Sequence, residues 1–285
     1  VRNTATTTNT VTQNVPAQKA MKRMPRTDKS NASRNGQFRY IDFHTHILPN
    51  IDDGSKSLDE SLKMLDMSFK SQVYCSVLTP HFYPTHDSIS AFLYKRNQAF
   101  DKLKSSMTQN YPLLRVGAEV QYFNGISQTD ELEKLKIVGT ELILIEMPFT
   151  RWTDEMLTEI FAVNERPGFH VVLAHIERYL SFMPDGALDL LRSRGLIIQS
   201  NASFFTNFFT RRRALELLKS GYIMLIGSDC HNITTRPPGL QDCYKRIRSA
   251  LGDEETLRFI QAGLKLLLHG STSPDPSIRV REAIL

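Results

Sequence analysis

Cysteine is scarce in this chain of 285 residues: Cys75, Cys230 and Cys243 are the full complement, with no Cys-x-x-Cys spacing. An odd, scattered set excludes a disulfide scaffold and fits a reducing compartment, so a cytoplasmic location is expected. Long apolar runs are also missing. The run at residues 142–147 is among the longest and falls far short of the ~20 residues that span a bilayer. The N-terminal segment has no apolar stretch of the kind a secretory signal needs. No Gly-x-Gly-x-x-Gly pattern follows the first apolar run, so nothing favours a dinucleotide fold. Acidic residues are nearly absent from one region: residues 1–40 carry eight Lys/Arg and a single acid, Asp28. The remainder holds 27 basic and 29 acidic side chains, so the formal charge of +5 belongs to a leader. That distribution argues against a nucleic-acid partner. Residues 1–38 are rich in Thr and Asn, and Pro16 and Pro25 interrupt any amphipathic helix. They read as a disordered basic leader, with organelle targeting as the lesser alternative. Residues 39–285 read as one domain.

What the chain does have is alternation. Strand-like apolar runs cover residues 40–44, 73–79, 113–119, 141–147, 170–174, 196–200 and 223–228. Helical periodicity covers 58–70, 89–106, 153–164, 186–194, 211–220, 241–251 and 254–268, and Ser57 with Glu60 forms a capping box at the first of these. Strands alternating with helices predict a parallel sheet, either closed as a barrel or open and doubly wound.

The chemistry lies at the strand ends. The first run leads into His44-Thr45-His46 and then Asp52-Asp53-Gly54; the second ends at His81, the third at Glu119, the fourth at Glu146. The fifth ends at His175 and the seventh at Asp229-Cys230-His231. In a parallel barrel all these ends open on one face. Residues two apart on an extended chain point the same way, so His44 with His46, and Asp229 with His231, can each reach one ion. A lone strand-end histidine is usually a hydrogen-bonded structural group, but six of seven strands ending in ligand types are not explained that way. Carboxylates and imidazoles gathered without a cation are costly to desolvate. Mixed nitrogen and oxygen ligation suits zinc, manganese or iron, and so many ligands point to a multinuclear site able to activate a bridging hydroxide. Asp53 is preferred to Asp52, although either can face the site. His86, His170 and His269 lie outside the pattern and are assigned structural roles.

Two features invite other readings. Cys230 and Arg236 match the Cys-x5-Arg spacing of cysteine phosphatases. The intervening residues contain no glycine for a tight phosphate loop, so Cys230 is read as a small apolar side chain. The aromatics Phe82, Tyr83, Tyr122, Phe149, Trp152, Phe204 and Phe205 follow strand ends, where they either wall a substrate pocket or cap the core.

The segment His44-Thr45-His46-Ile47-Leu48-Pro49 with Asp52-Asp53-Gly54 resembles the opening motif of the polymerase and histidinol phosphatase (PHP) superfamily. More narrowly it is similar to the bacterial manganese-dependent tyrosine-protein phosphatases of capsule and exopolysaccharide operons. Thr79-Pro80-His81, Gly117-Ala118-Glu119, Ile145-Glu146, Ala174-His175 through Tyr179, Asn201-Ala202-Ser203, Ser228-Asp229 through Asn232 and Arg236-Pro237-Pro238 continue the match in order. The resemblance implies an α/β fold, a distorted TIM-like (β/α)7 barrel of the PHP type. It implies that His44, His46, Asp53, His81, Glu119, Glu146, His175, Asp229 and His231 hold three divalent ions, manganese with iron or zinc as alternatives. Arg178 and Arg236 would bind the substrate phosphate, as suits a forked guanidinium. The implied activity is hydrolysis of phosphotyrosine, the implied partner a tyrosine autokinase of polysaccharide export, with peripheral membrane association through that partner. A histidinol-phosphate type phosphatase and a non-catalytic phosphopeptide-binding module are the alternatives. The chain departs from the family pattern at Ile176, where proline is usual, and near Asn50, where glycine is usual.

Overall fold

The first strand, β1 (Tyr40–Thr45), is buried along its whole length, as expected of a parallel strand covered on both faces. The computed structural model describes residues 39–108 and 110–269, the last two by backbone alone. The expected leader over 1–38, the side chain of His269 and the remainder of the chain to 285 lie outside the described residues.

β1 pairs in parallel with β2 (Val73–Leu78), and β2 pairs with β4 (Leu113–Val116). β3 (His81–Phe82) pairs with β5 (Glu119–Gln121), followed in order by β6 (Leu142–Glu146), β7 (His170–Leu173), β8 (Ile197–Asn201) and β9 (Leu225–Gly227). β2 and β3 occupy one strand position, broken at Thr79-Pro80, where proline has no N–H to donate. β4 and β5 occupy the next, broken at Gly117-Ala118. The strand expected at 113–119 is therefore two strands with a bend. At that bend a Cβ on Gly117 would lie 3.0 Å from Ile137, so the close approach favours glycine. Gly117 N–H donates to Leu78 O (2.8 Å) and Glu119 N–H to Pro80 O (3.0 Å), which carries the pairing across both breaks.

The ring closes between β9 and β1. Asp229 N–H donates to His44 O (2.8 Å), and His46 N–H donates to Cys230 O (2.9 Å). Seven strand positions thus form a distorted (β/α)7 barrel, which settles the choice between closed barrel and open sheet.

Helix α1 (Leu58–Lys70) starts where Ser57 Oγ accepts Glu60 N–H (3.1 Å). Glu60 reaches back to the N–H of Lys56 (2.8 Å), one residue earlier than the usual box. Ser88 and Thr153 cap α2 (Ile89–Ser106) and α3 (Asp154–Glu165) in the same manner. The outer layer continues with α4 (Ala187–Ser193), a short α5 (Ala202–Thr206) that the periodicity does not predict, α6 (Arg211–Lys219), α7 (Leu240–Leu251) and α8 (Asp253–His269). Among the described residues no helix is long and apolar enough to cross a membrane.

Strand alternation sorts the core. Ile143, Ile145, Val171, Leu173 and Ile198 pack toward the helices, while Leu142, Leu144, Val172, Ile197 and Leu225 form a second cluster with Ile41 and Phe43. Continuing that second parity along the strands reaches Glu146 on β6 and Gln199 and Asn201 on β8. On β1 the pairing shifts register between Asp42 and Thr45. The shift lets His44 and His46, of opposite parity to Ile41 and Phe43, reach the same end.

Candidate metal centre

All nine side chains expected to be ligands converge at the carboxyl ends of the strands. Glu119, fully buried on β5, is the hub. Its Oε2 lies 3.0 Å from His44 Nε2, 3.2 Å from His46 Nε2 and 3.1 Å from His81 Nδ1, and its Oε1 lies 2.8 Å from His175 Nε2. Glu146 approaches His175 at 3.4 Å, and Asp229 Oδ1 approaches His46 at 3.5 Å and His44 at 3.7 Å. On the solvent side Asp53 lies 3.2 Å from His231 and 3.5 Å from His81. These atoms form three overlapping groups of ion-holding geometry: His46, Asp53, His81 and His231; His44, His46 and Asp229; His81, Glu119 and Glu146. Histidine 175 completes the cluster through Glu119.

The hydrogen bonds around the cluster decide which nitrogens face it. His46 Nδ1–H donates to Asp52 Oδ2 (2.7 Å), and His44 Nδ1–H donates to Gln199 Oε1 (3.3 Å). His231 Nδ1–H donates to the Asp229 carbonyl (3.0 Å). Gln199 Oε1 also accepts His175 N–H (2.7 Å), which orients the amide independently of the imidazole. With Nδ1 protonated, the Nε2 lone pairs of His44 and His46 face each other across 3.0 Å. Two such lone pairs repel unless a cation or an extra proton lies between the rings.

The electrostatics make the same demand. Burial pushes the His46 imidazole down, but Asp52 and Glu119 outweigh it and hold the group well above its ordinary value. His175, likewise opposed by burial, is raised to about 9 by its contacts with Glu119 and Glu146. Burial raises Glu119, yet the surrounding histidines hold it well below the usual carboxylate range. Contact with His231 lowers Asp53 despite partial burial. In the bare protein, protons on imidazoles supply the positive charge that divalent ions would supply with neutral imidazoles. His175 Nδ1 is buried without a hydrogen-bond partner among the described residues. His81 Nδ1 and His231 Nε2 lie near carboxylate oxygens but outside hydrogen-bond geometry. The donor set and its unsatisfied nitrogens fit a metal cluster.

Asp229 joins the cluster to both arginines. Its Oδ2 accepts from Arg178 (2.5 Å), Arg236 (2.6 Å) and Asn201 Nδ2 (2.8 Å). The two guanidinium side chains remain 36% and 38% exposed, enough to meet a ligand. Glu177 does not pair with Arg178; it accepts from Ser200 Oγ and Asn201 N–H, and burial raises its carboxyl. Arg178 is carried on a single 3₁₀ turn, Ile176–Arg178, whose first residue is fully buried. Packing of Ile176 thus restrains a turn that lacks the expected proline. His175 (φ 29°) and Asp229 (φ 54°) adopt left-handed backbone, a strain concentrated on two residues of the cluster. Asn50 is left-handed as well (φ 55°), in the turn near which the resemblance predicts glycine. Gly227 is required by proximity: a Cβ there would lie 2.4 Å from His44 Cβ.

The structure separates the two neighbouring aspartates. Asp53 faces the cluster, whereas Asp52 is buried behind His46 and also accepts His81 N–H (3.0 Å) and Gly54 N–H (2.9 Å). Sequence reasoning held Asp52 as the lesser alternative to Asp53 and gave no role to Gln199 or Asn201; the two-residue spacing of Gln199 and Asn201 is the signal that was present. The aromatics divide too. Tyr83 stacks on His81 at 5.0 Å and the half-exposed Phe149 stacks on Tyr179 at 5.5 Å, whereas Phe82, Trp152, Phe204 and Phe205 are core. Cys230 is fully buried beside Thr45, and burial pushes its thiol well above the ordinary value, which argues against a thiolate nucleophile there. His86 meets Tyr83 edge to face and His170 approaches Glu141 at 3.4 Å, both outside the cluster. A groove of about 1070 Å³ lies between α6 and α7 and is lined by none of these residues.

A solved structure of YwqE from Bacillus subtilis and CpsB from Streptococcus pneumoniae, described as unique metal-dependent tyrosine phosphatases, matches with a TM-score of 0.70. It covers 84% of this chain and 96% of that one at 23% identity, and so shares the fold. Tyrosine-protein phosphatase CpsB of Streptococcus agalactiae is 30% identical over 239 residues, covering 75% of this chain and 92% of that protein. The putative tyrosine-protein phosphatase CapC of Staphylococcus aureus is 28% identical over 244 residues, covering 80% and 91%. The model of the capsular polysaccharide synthesis family CpsB/CapC matches residues 40–267, the whole ring of strands with its ligand set, and the chain belongs to that family.

Proposed function

We propose that this protein is a metal-dependent phosphatase that hydrolyses phosphotyrosine in a protein substrate. The observation that carries the reading is the joining of two functions at Asp229, whose Oδ1 faces the histidine cluster while Oδ2 gathers Arg178 and Arg236. Relatives that cover the same barrel are named tyrosine-protein phosphatases, which supports the same conclusion.

His44, His46, Asp53, His81, Glu119, Glu146, His175, Asp229 and His231 would hold the ions. The three overlapping ligand groups support more than one ion, and the family resemblance supports three, with manganese as the metal. Divalent ions there supply Lewis acidity and a lowered pKa for water. The protein residues do the rest. Arg178 and Arg236 turn their forked N–H groups from Asp229 toward the phosphoryl oxygens, neutralising charge that spreads over them in the transition state. Tyr83 and Phe149 flank the substrate's phenyl ring. Tyrosinate leaves with a parent pKa of about 10, so little acid assistance is needed. Water adds to phosphorus as the tyrosyl oxygen departs, giving tyrosine and inorganic phosphate. The resemblance supports a tyrosine autokinase of polysaccharide export as the substrate protein, and three buried free thiols support a cytoplasmic setting.

The test is turnover of a phosphotyrosine peptide before and after chelation, with metal content measured on the same samples. Chelation should abolish hydrolysis and manganese should restore it. Full activity in protein shown to be metal-free removes the reading, and histidinol phosphate turned over in preference to the peptide replaces it with the small-molecule alternative.

A further inference from the structure

Beyond α5 the chain makes a short loop, Asn207 to Thr210, before α6 begins. Two adjacent aromatics in it are turned to solvent: Phe208 is 69% and Phe209 89% exposed. The loop is locally tied. Asn207 Oδ1 accepts Phe209 N–H (2.8 Å), Thr210 Oγ1 donates to Phe204 O (2.8 Å), and Arg211 N–H donates to Asn207 O (3.0 Å). The two rings meet edge to face at 5.5 Å, and the Arg211 guanidinium lies over Phe208 at 4.6 Å. They are displayed by an ordered turn, and their exposure has no role in packing the barrel.

Positive charge follows the pair. Arg211, Arg212 and Arg213 follow directly, and Glu216 is shared by Arg212 (3.0 Å) and Arg213 (3.7 Å). Arg211 and Arg212 also line the groove between α6 and α7, where Lys219, Lys245 and Arg246 add three more cations against Glu216 and Asp242. The two rings form an apolar protrusion with three arginines directly after it. It is the arrangement that an interface of headgroups and acyl chains accepts, because aromatic rings enter there without a shaped receptor and arginines pair with lipid phosphates. We propose that Phe208, Phe209 and the three arginines after them form a docking surface for an anionic membrane. The loop follows the carboxyl end of β8, the barrel face on which the metal cluster opens, so docking brings that face to the bilayer. The surface contributes an affinity for lipid of the chain's own, in addition to any contact through a membrane-held substrate.

The test is cosedimentation of the full chain with vesicles of phosphatidylcholine and phosphatidylglycerol in equal parts, against pure phosphatidylcholine. Binding is expected on the mixed vesicles and should weaken with added salt. Phe208→Ser with Phe209→Ser should lower the partition coefficient roughly tenfold or more. Arg211→Gln with Arg212→Gln and Arg213→Gln should lower it by roughly as much. Both variants should turn over a small aryl phosphate as the parent does, which shows that the fold is intact and separates this surface from the phosphatase reading. Unchanged vesicle binding by the phenylalanine variant overturns the proposal, as does failure of the parent to bind. If that variant binds vesicles normally but loses turnover of a soluble phosphotyrosine protein without lipid, the surface is a protein dock and the lipid assignment falls.

Discussion

At the scale of single residues, the arginine pair separates chemistry from packing. Arg178 and Arg236 both terminate on one oxygen of the buried Asp229, and both are more than a third exposed, so solvent screens the guanidinium end of each pair. Lysine at either position keeps the charge and loses the fork. If the guanidinium groups grip phosphate, Arg178→Lys and Arg236→Lys should each cost about 2 kcal/mol in kcat/KM, while bound metal and melting temperature hold. Arg→Ala should cost more. A fall in melting temperature with unchanged kcat/KM would make both residues supports of Asp229 and remove them from substrate binding. Cys230 and His231 provide the complementary pair, adjacent in sequence and opposite in expectation. His231→Ala should lower turnover by orders of magnitude through loss of a ligand, whereas Cys230→Ser, a buried thiol replaced by a hydroxyl, should retain most turnover per folded molecule. A dead Cys230→Ser variant with its metals in place would reopen the cysteine mechanism.

At the scale of elements, strand β8 shows what a sequence conceals. Every long helix was legible from its period, and α1 and α2 begin where Ser57 and Ser88 put a cap. The strand-end histidines and carboxylates were legible because a titratable group closing an apolar run contrasts with its surroundings. Gln199 and Asn201 offer no such contrast, since a polar amide at a strand end also serves ordinary turns. The structure links them: Gln199 Nε2 donates to Asn201 Oδ1 (3.0 Å), and Asn201 Nδ2 donates to Asp229, while Gln199 Oε1 serves His175 and His44. The break between β4 and β5 was hidden for a different reason, because Gly117-Ala118 reads as a continuation of an apolar strand until Ile137 is seen packed against it. Asp53 was preferred to Asp52, but the part Asp52 plays behind His46 was not legible, because a loop has no period that assigns facing. The amide relay makes a prediction at this scale. Gln199→Leu leaves the buried His175 N–H without an acceptor, a loss of roughly 1–3 kcal/mol, and frees the His44 ring to turn. Manganese affinity measured by calorimetry should fall about 10–100-fold, as for other supports behind metal-bound histidines. Unchanged affinity in a destabilised protein would reduce the relay to packing.

At the scale of the whole molecule, the ion cluster belongs to the fold as well as to the site. Its ligands come from β1, β3, β5 and β6 and from the segments beyond β1, β7 and β9, so a bound ion ties together strand positions distributed around the barrel. The β9–β1 seam most needs the tie, because a single bridge between Thr45 and Cys230 and two flanking backbone hydrogen bonds close it. Without ions, protonated imidazoles must offset the buried carboxylates, a poorer arrangement than neutral imidazoles around divalent charge. A ligand present at a hundred times its Kd stabilises the native state by about 2.7 kcal/mol, which for a domain of this size raises Tm by roughly 5–10 °C. Chelation should therefore lower Tm by about that amount, and manganese should restore it together with activity. The basic leader should behave oppositely. Residues before Gln37 are mostly polar and charged, with few and scattered apolar side chains to build a core, so deleting them should leave Tm and small-substrate turnover essentially unchanged. Measured side by side, the two perturbations test the division of the chain. If Tm does not move on chelation while activity is lost, the ions serve chemistry alone and the seam is held by its own hydrogen bonds. If Tm falls on deletion of the leader, the folded domain extends N-terminal to β1.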